Sequence, residues 1–177
     1  MATTQIMIAG FGGQGVLFAG KIVAYTGMIE DKQVSWLPSY GPEMRGGTAN
    51  CSVCIDDQPI GCPIVLEPHT LIAMNRPSYD SFINSVAAGG LDVYDSTLID
   101  VACARTDITA APIPATQMAN DNGLHGLANI IILGQVLKQN PFCSLDVLKA
   151  ALTKCVPAKK QHLLEPNLRA LQLGYDY

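Results

Sequence analysis

The sequence carries little charge: Asp, Glu, Lys and Arg make up 15% of its 177 residues, against 49% hydrophobic residues. It has no basic run, a net charge of -4 and a pI of about 5.2. Nucleic-acid binding therefore lacks its electrostatic footprint. An anionic ligand must be held by local groups, because no global positive field exists. Low charge with a mean hydropathy of +0.23 implies that much of the chain is buried and that another chain covers part of its surface.

Long hydrophobic runs are also missing. The longest apolar stretch surrounds Ile130 to Leu133, between Asn129 and Gln135, too short to cross a bilayer. Met1 to Gln5 contains no basic residue, and the apolar stretch that follows turns to glycine at once, unlike a signal peptide. The expected compartment is the cytoplasm, with no membrane contact. Six cysteines occur, at positions 51, 54, 62, 103, 143 and 155. A reducing compartment, and a chain long enough for one sizeable core, favour free thiols over disulfides. Cys51 and Cys54 lie in a strand pattern, where residues three apart face opposite sides. No second C-x-x-C accompanies them, and His69, His125 and His162 have no ligand spacing. A metal site is not expected. A serine nucleophile elbow and a P-loop lysine are absent as well.

What is present alternates short apolar strands with helical stripes. Gln5–Ala9 reads as a strand apolar on both faces, as in a buried parallel sheet. Val16, Ala19, Ile22 and Val23 then mark a helix. Strands are expected at Val34–Leu37, Thr48–Ile55, Thr70–Met74 and Leu91–Tyr94, with a further short one near Ile64–Leu66. Tyr79, Phe82, Ile83 and Val86 form a helical stripe that Gly89-Gly90 should end. Residues 95–110 show no clear pattern. Leu124–Gln139 reads as a buried helix. Ser144 suits the N-cap of the next one. Pro166 is expected in the first turn of the last helix, with Gly174 just past its end. The expectation is one domain over residues 1–177, a three-layer α/β/α sandwich on a mainly parallel sheet. The sheet becomes mixed if Thr48–Ile55 pairs antiparallel.

Two loops carry the functional signal. Gly10, Gly12, Gly13, Gln14 and Gly15 form a G-x-G-x-x-G pattern between strand and helix. Such a loop either binds an anion or partner at the helix start or simply allows tight packing. A dinucleotide site also needs an acid at the end of the second strand. Here that strand runs into Leu37-Pro38-Ser39, which counts against an NAD-type regulatory module. The second loop holds Glu43, Arg45, Gly46 and Gly47. The Arg45 guanidinium suits a phosphate, a carboxylate or an acidic partner; the alternative is an internal Glu43–Arg45 pair. In an open α/β sheet, ligands gather at the carboxyl ends of parallel strands. The loops at 10–15, 39–47, Asn75–Arg76 and 95–97 should therefore share one edge.

Gly10–Val16 (GFGGQGV) and Tyr40–Asn50 (YGPEMRGGTAN) together resemble the hallmark stretches of the gamma subunit of 2-oxoacid:ferredoxin oxidoreductases. Ser52–Ile55, Pro59–Gly61 and Asn129–Leu137 extend the resemblance over nearly the whole chain. The family is similar to the third domain of single-chain pyruvate:ferredoxin oxidoreductases. The resemblance implies decarboxylation of a 2-oxoacid such as 2-oxoglutarate or pyruvate on thiamine diphosphate. Electrons pass through iron–sulfur clusters to ferredoxin, and the acyl group passes to coenzyme A. Thiamine diphosphate and the clusters would belong to alpha, beta and, where present, delta subunits. The chain lacks a GDG-type thiamine diphosphate motif and a C-x-x-C-x-x-C run. It is expected to be a non-redox subunit, with the glycine and Arg45 loops facing its partners near the coenzyme A route, and to self-associate when isolated.

Overall fold

The computed structural model describes residues 3–39 and 48–177. Strand β1 (Thr4–Phe11) leads through the glycine loop into α1 (Val16–Ile29). Strands β2 (Gln33–Ser39) and β3 (Thr48–Asp56) follow, then β4 (Thr70–Ala73) and α2 (Arg76–Phe82), which a 3-10 turn (Ile83–Ser85) prolongs. After β5 (Leu91–Asp95) and β6 (Thr109–Ile113) come α3 (Ala115–Asp121), α4 (Ala128–Gln139) and α5 (Leu145–Cys155). A second 3-10 segment (Ala158–Leu163) leads into α6 (Leu164–Asp176).

The six strands form one mixed sheet in the order β2-β3-β1-β4-β5-β6. β1, β4, β5 and β6 run parallel, and β3 runs antiparallel to both β1 and β2. The antiparallel pairing expected at Thr48–Ile55 is present. The register places Ala9 of β1 and Ser39 of β2 both opposite Asn50 of β3. The carboxyl ends of β1 and β2 thus lie at the same edge of the sheet.

The outer layers are unequal. Ile6, Ile8, Cys51, Val53, Ile72 and Val93 face a large core closed by α1 and α4, with α5 and α6 packed behind them. α4 is buried from Asn129 to Leu137, so it reads as apolar all round. The other face is thinner: Met7, Leu71, Ala73 and Tyr94 are covered by Tyr79 and Ile83 and by Ile99 from residues 96–108.

Local chemistry sets the helix ends. The Asn75 side chain accepts from the Ser78 N–H at 2.9 Å to cap α2, and Pro77 sits in its first turn. Ser144 caps α5 by accepting from the Val147 N–H at 3.2 Å, as expected.

Four expectations need correction. Ile64–Leu66 forms no strand: Pro59, Pro63 and Pro68 interrupt ladder pairing, and Leu66 is 79% exposed. The helix over Tyr79 and Phe82 ends at Ser85, and Val86 is already extended; Gly89 and Gly90 instead turn the chain into β5, with the Gly90 N–H donating to the Ala87 carbonyl. α4 begins at Ala128, because Gly126, at φ 79, interrupts the stretch before it. Gly174 lies within α6, where an added Cβ would strike the Ile131 carbonyl; Gly134 meets the Leu171 carbonyl in the same way. These glycines let α4 and α6 touch backbone to backbone. β6 and α3 had no sequence assignment, because Pro112 and Pro114 obscure both patterns.

Candidate functional site

The glycine loop is fastened to the end of β4 by one side chain. Gln14 Oε1 accepts from the Phe11 N–H at 2.6 Å and from Asn75 Nδ2 at 3.1 Å. Gln14 Nε2 donates to the Met74 carbonyl at 2.9 Å. Gly10 makes this possible, since an added Cβ would sit 2.8 Å from Gln14 Oε1 and 3.0 Å from Met74 Cβ. Gln14 and Asn75, both candidates from sequence, therefore meet, but Gln14 acts as a strut with its polar atoms engaged.

The loop ends in a left-handed residue, Gly15, at φ 75. Its carbonyl accepts from the Ala19 N–H at 2.9 Å and from Asn129 Nδ2 at 3.1 Å. Among the described residues no side chain caps α1, and its first turn carries no acid. The orphan N–H groups of a 14-residue helix thus open toward Gly12 and Gly13. Gly13 lies at φ 96, and nothing stands within 4 Å of where its Cβ would be. Its backbone is accessible to a ligand.

Three clefts border this loop, and two of them lie on its α3 and α4 side. One, of about 380 Å³, is lined by Gly15, Phe18, Lys21, Leu127, Lys160 and Asn167, among others. The other, of about 170 Å³, lies between Gln14, Met74, Thr116 and Asn120. Asn129 and Asn167 both border the larger cleft, are almost fully buried, and have an Oδ1 without a partner. Lys21 and Lys160 add positive charge, so the larger cleft suits an anionic ligand with an apolar body.

The end of β5 joins the same edge. Asp95 accepts from the Thr97 N–H at 3.1 Å, from the Thr116 N–H at 3.2 Å and from Thr116 Oγ1 at 2.5 Å. It caps α3 and thereby sets the wall of the smaller cleft. Three of the four expected loops converge. Arg76 turns outward, bonded to Asp80 at 2.8 Å and Asp100 at 3.3 Å. Glu43, Arg45, Gly46 and Gly47 lie outside the described residues.

Sequence reasoning missed Lys21, Lys160, Asn167 and Thr116, which show no local pattern. Asn129 did leave a signal, as a polar residue opening an apolar run. The cysteine reading holds: Cys51 faces α1, donating to the Val16 carbonyl at 3.6 Å, and burial pushes its thiol up to about 11. Among the described residues, no three His, Cys, Asp or Glu side chains cluster as metal ligands, and no helix is long and apolar enough to cross a membrane.

The neighbour of β1 on the parallel side is β4, and it ends at Met74-Asn75-Arg76 without a carboxylate. β2 turns back into the antiparallel β3. The acid that would hold ribose hydroxyls in a dinucleotide fold has no counterpart there.

Comparison with known proteins agrees with this geometry. The ketoisovalerate oxidoreductase subunit VorA of Methanothermobacter thermautotrophicus is 38% identical over 98% of this chain, which spans 36% of that relative's length. The 2-oxoglutarate synthase subunit KorC of Methanocaldococcus jannaschii is 33% identical over 97% of this chain and 92% of its own length. The crystal structure of a keto/oxoacid ferredoxin oxidoreductase gamma subunit from Geobacter sulfurreducens superposes with a TM-score of 0.84 at 27% identity, covering 98% of this chain and 96% of that one. The model for the pyruvate ferredoxin/flavodoxin oxidoreductase family matches residues 5–177, and the chain belongs to that family.

Proposed function

We propose that this chain is the gamma-type subunit of a 2-oxoacid:ferredoxin oxidoreductase in the cytoplasm, and that its glycine-loop edge receives coenzyme A. It works as a single domain and cannot complete the reaction alone. The observation that carries the reading is the uncapped start of α1 beside the Lys21 and Lys160 cleft. Coenzyme A joins phosphates to a chain with two amide N–H groups. The orphan N–H groups and the lysines suit the phosphates. The apolar side chains of Phe18 and Leu127 in the same cleft suit the chain.

The alpha and beta subunits, with delta where present, supply the thiamine diphosphate and the iron–sulfur clusters that serve ferredoxin. The Arg45 loop, with Glu43, Gly46 and Gly47, follows β2 and faces the same partners. The matched relatives are named for ketoisovalerate and 2-oxoglutarate. The oxoacid is one of these, with 2-oxoglutarate favoured because the chain spans 92% of the KorC relative and 36% of VorA, although identity to VorA is the higher.

The test is an anaerobic pull-down of the tagged chain from its native cells, assayed for 2-oxoacid- and coenzyme-A-dependent dye reduction. Recovery of larger partners with that activity is expected, and an oxoacid panel then names the substrate. In the recovered complex, Lys21→Ala with Lys160→Ala should raise the KM for coenzyme A about tenfold, the loss of about 1.4 kcal/mol, and leave the oxoacid KM unchanged. Recovery of the chain alone, without activity, refutes the subunit reading.

A further inference from the structure

Asp92 is the second residue of β5, between Leu71 of β4 and Ala110 of β6 in the register. Its side chain is 0% exposed, and neither carboxylate oxygen has a hydrogen-bond partner among the described residues. Strand alternation turns it to the thin face of the sheet with Tyr94, away from Leu91 and Val93. Nothing in the glycine-loop site uses it.

The groups around it come from three elements. Tyr79 of α2 leans on Tyr94 of β5, with ring centroids 5.3 Å apart. Burial raises both phenols, and the charges of Asp92 and of Cys103, from residues 96–108, add to the effect. β4 and β6 present only Leu71 and Ala110 beside it. The sole cation of residues 96–108, Arg105, is taken: it bonds Asp107 at 2.5 and 2.9 Å and the Ile83 and Val86 carbonyls at 3.0 and 2.6 Å. Of the charged residues on α2, Arg76 and Asp80 pair with each other in solvent. Among the described residues, no cation offsets an ionised Asp92.

A carboxylate without a partner in an apolar site is held by taking up a proton. Burial accordingly raises Asp92 from 3.8 to about 7. The cover above it is light. Residues 96–108 contribute Ile99, with Val101, Cys103 and Ile108 only partly buried. Segments with few buried apolar contacts open at the lowest cost.

We propose that Asp92 is a proton-operated latch: protonated, it lets residues 96–108 close over the thin face of the sheet, and ionised, it favours their opening so that water reaches the carboxylate. The segment begins next to Asp95, which holds Thr116 at the wall of the smaller cleft. Opening therefore loosens the loop edge from behind. The latch is independent of the function proposed above and is tested on the isolated full chain.

Amide exchange of residues 98–108, corrected for the intrinsic pH dependence, is followed from pH 5 to pH 8 in the wild type and in Asp92→Asn. Wild-type protection should fall by more than tenfold up to about pH 7 and then level, because the closed form alone retains the proton across that window. Asp92→Asn, which keeps all three histidines, should stay flat. Constant protection in the wild type, or the same fall in the variant, overturns the latch. A carboxyl-carbon NMR titration of the wild type decides the matter even if the variant does not fold. One aspartate titrating near pH 7 supports the proposal; ionisation of every aspartate below about pH 5 removes it.

Discussion

Asn129 Nδ2 donates to the Gly15 carbonyl at 3.1 Å, joining the start of α4 to the start of α1 across 114 residues of sequence. The bond holds the glycine loop against the large core and aims the open end of α1 outward. Gly15 is at φ 75, and any Cβ there would collide with the Asn129 amide. Gly15→Ala should therefore cost about 2–3 kcal/mol, about 1–2 for the left-handed backbone and about 1 for the displaced hydrogen bond. Urea denaturation measures it. In Gly15→Ala with Asn129→Ala, the collision is gone. The combined loss should be smaller than the sum of the two single losses. Strict additivity would show that the two residues do not meet.

The sequence announced this loop but not its fastening. A strand, a glycine cluster and a helical stripe are local patterns, so β1, the loop and α1 could be read directly. The antiparallel pairing of β3 was legible as a preference, because the strand lies close to its neighbours along the chain, but its register was not. Asn129, Lys160 and Asn167 reach the site from the last third of the chain, and no local spacing encodes that approach. Gln14 shows the limit from the other side. Its place in the motif suggested ligand contact, yet its amide spans Phe11, Met74 and Asn75. Asp92 left no signal, because an acid in a five-residue strand that also ends in Asp95 reads as an edge position until its neighbours on both sides are known.

The contact between α4 and α6 gives a sharper test of packing. Gly174→Ala should destabilise by about 3 kcal/mol or more, since the new methyl meets the Ile131 carbonyl and backbone cannot step aside as a side chain can. Gly61→Ala is the control. Nothing lies within 4 Å of a Cβ at that position, so its effect should stay within about 0.5 kcal/mol. Thermal melts of the two variants compare them. Equal losses would mean that α4 and α6 do not approach this closely.

The thiols should separate by environment. Cys62 is exposed, and Cys51 and Cys54 are buried. Burial raises the Cys51 thiol to about 11 and that of Cys143 to about 12, so neither supplies much thiolate at pH 8. Alkylation at pH 8, mapped by mass spectrometry, should label Cys62 first and reach Cys51 and Cys143 only on unfolding. Early labelling of Cys51 would contradict the packing of β3 against α1.

Asp92 also sets a pH dependence of global stability. Its folded value of about 7 lies above the ordinary carboxylate value of 3.8. Below about pH 4 both folded and unfolded chains hold the proton, and the residue makes no difference. Between those values the unfolded chain releases the proton and the folded chain keeps it. Stability therefore falls as pH rises through this window, then levels above about pH 7. A shift of about three units corresponds to at most about 4 kcal/mol. Other carboxylates with depressed values, such as Asp107 beside Arg105, act in the opposite direction at the acid end. The difference between wild type and Asp92→Asn isolates the buried group. Urea midpoints at pH 5, 6, 7 and 8 should converge toward acid and separate toward base, with the variant the more stable at pH 8. Parallel curves would mean that the carboxyl group finds a partner in the folded chain and stays ionised throughout.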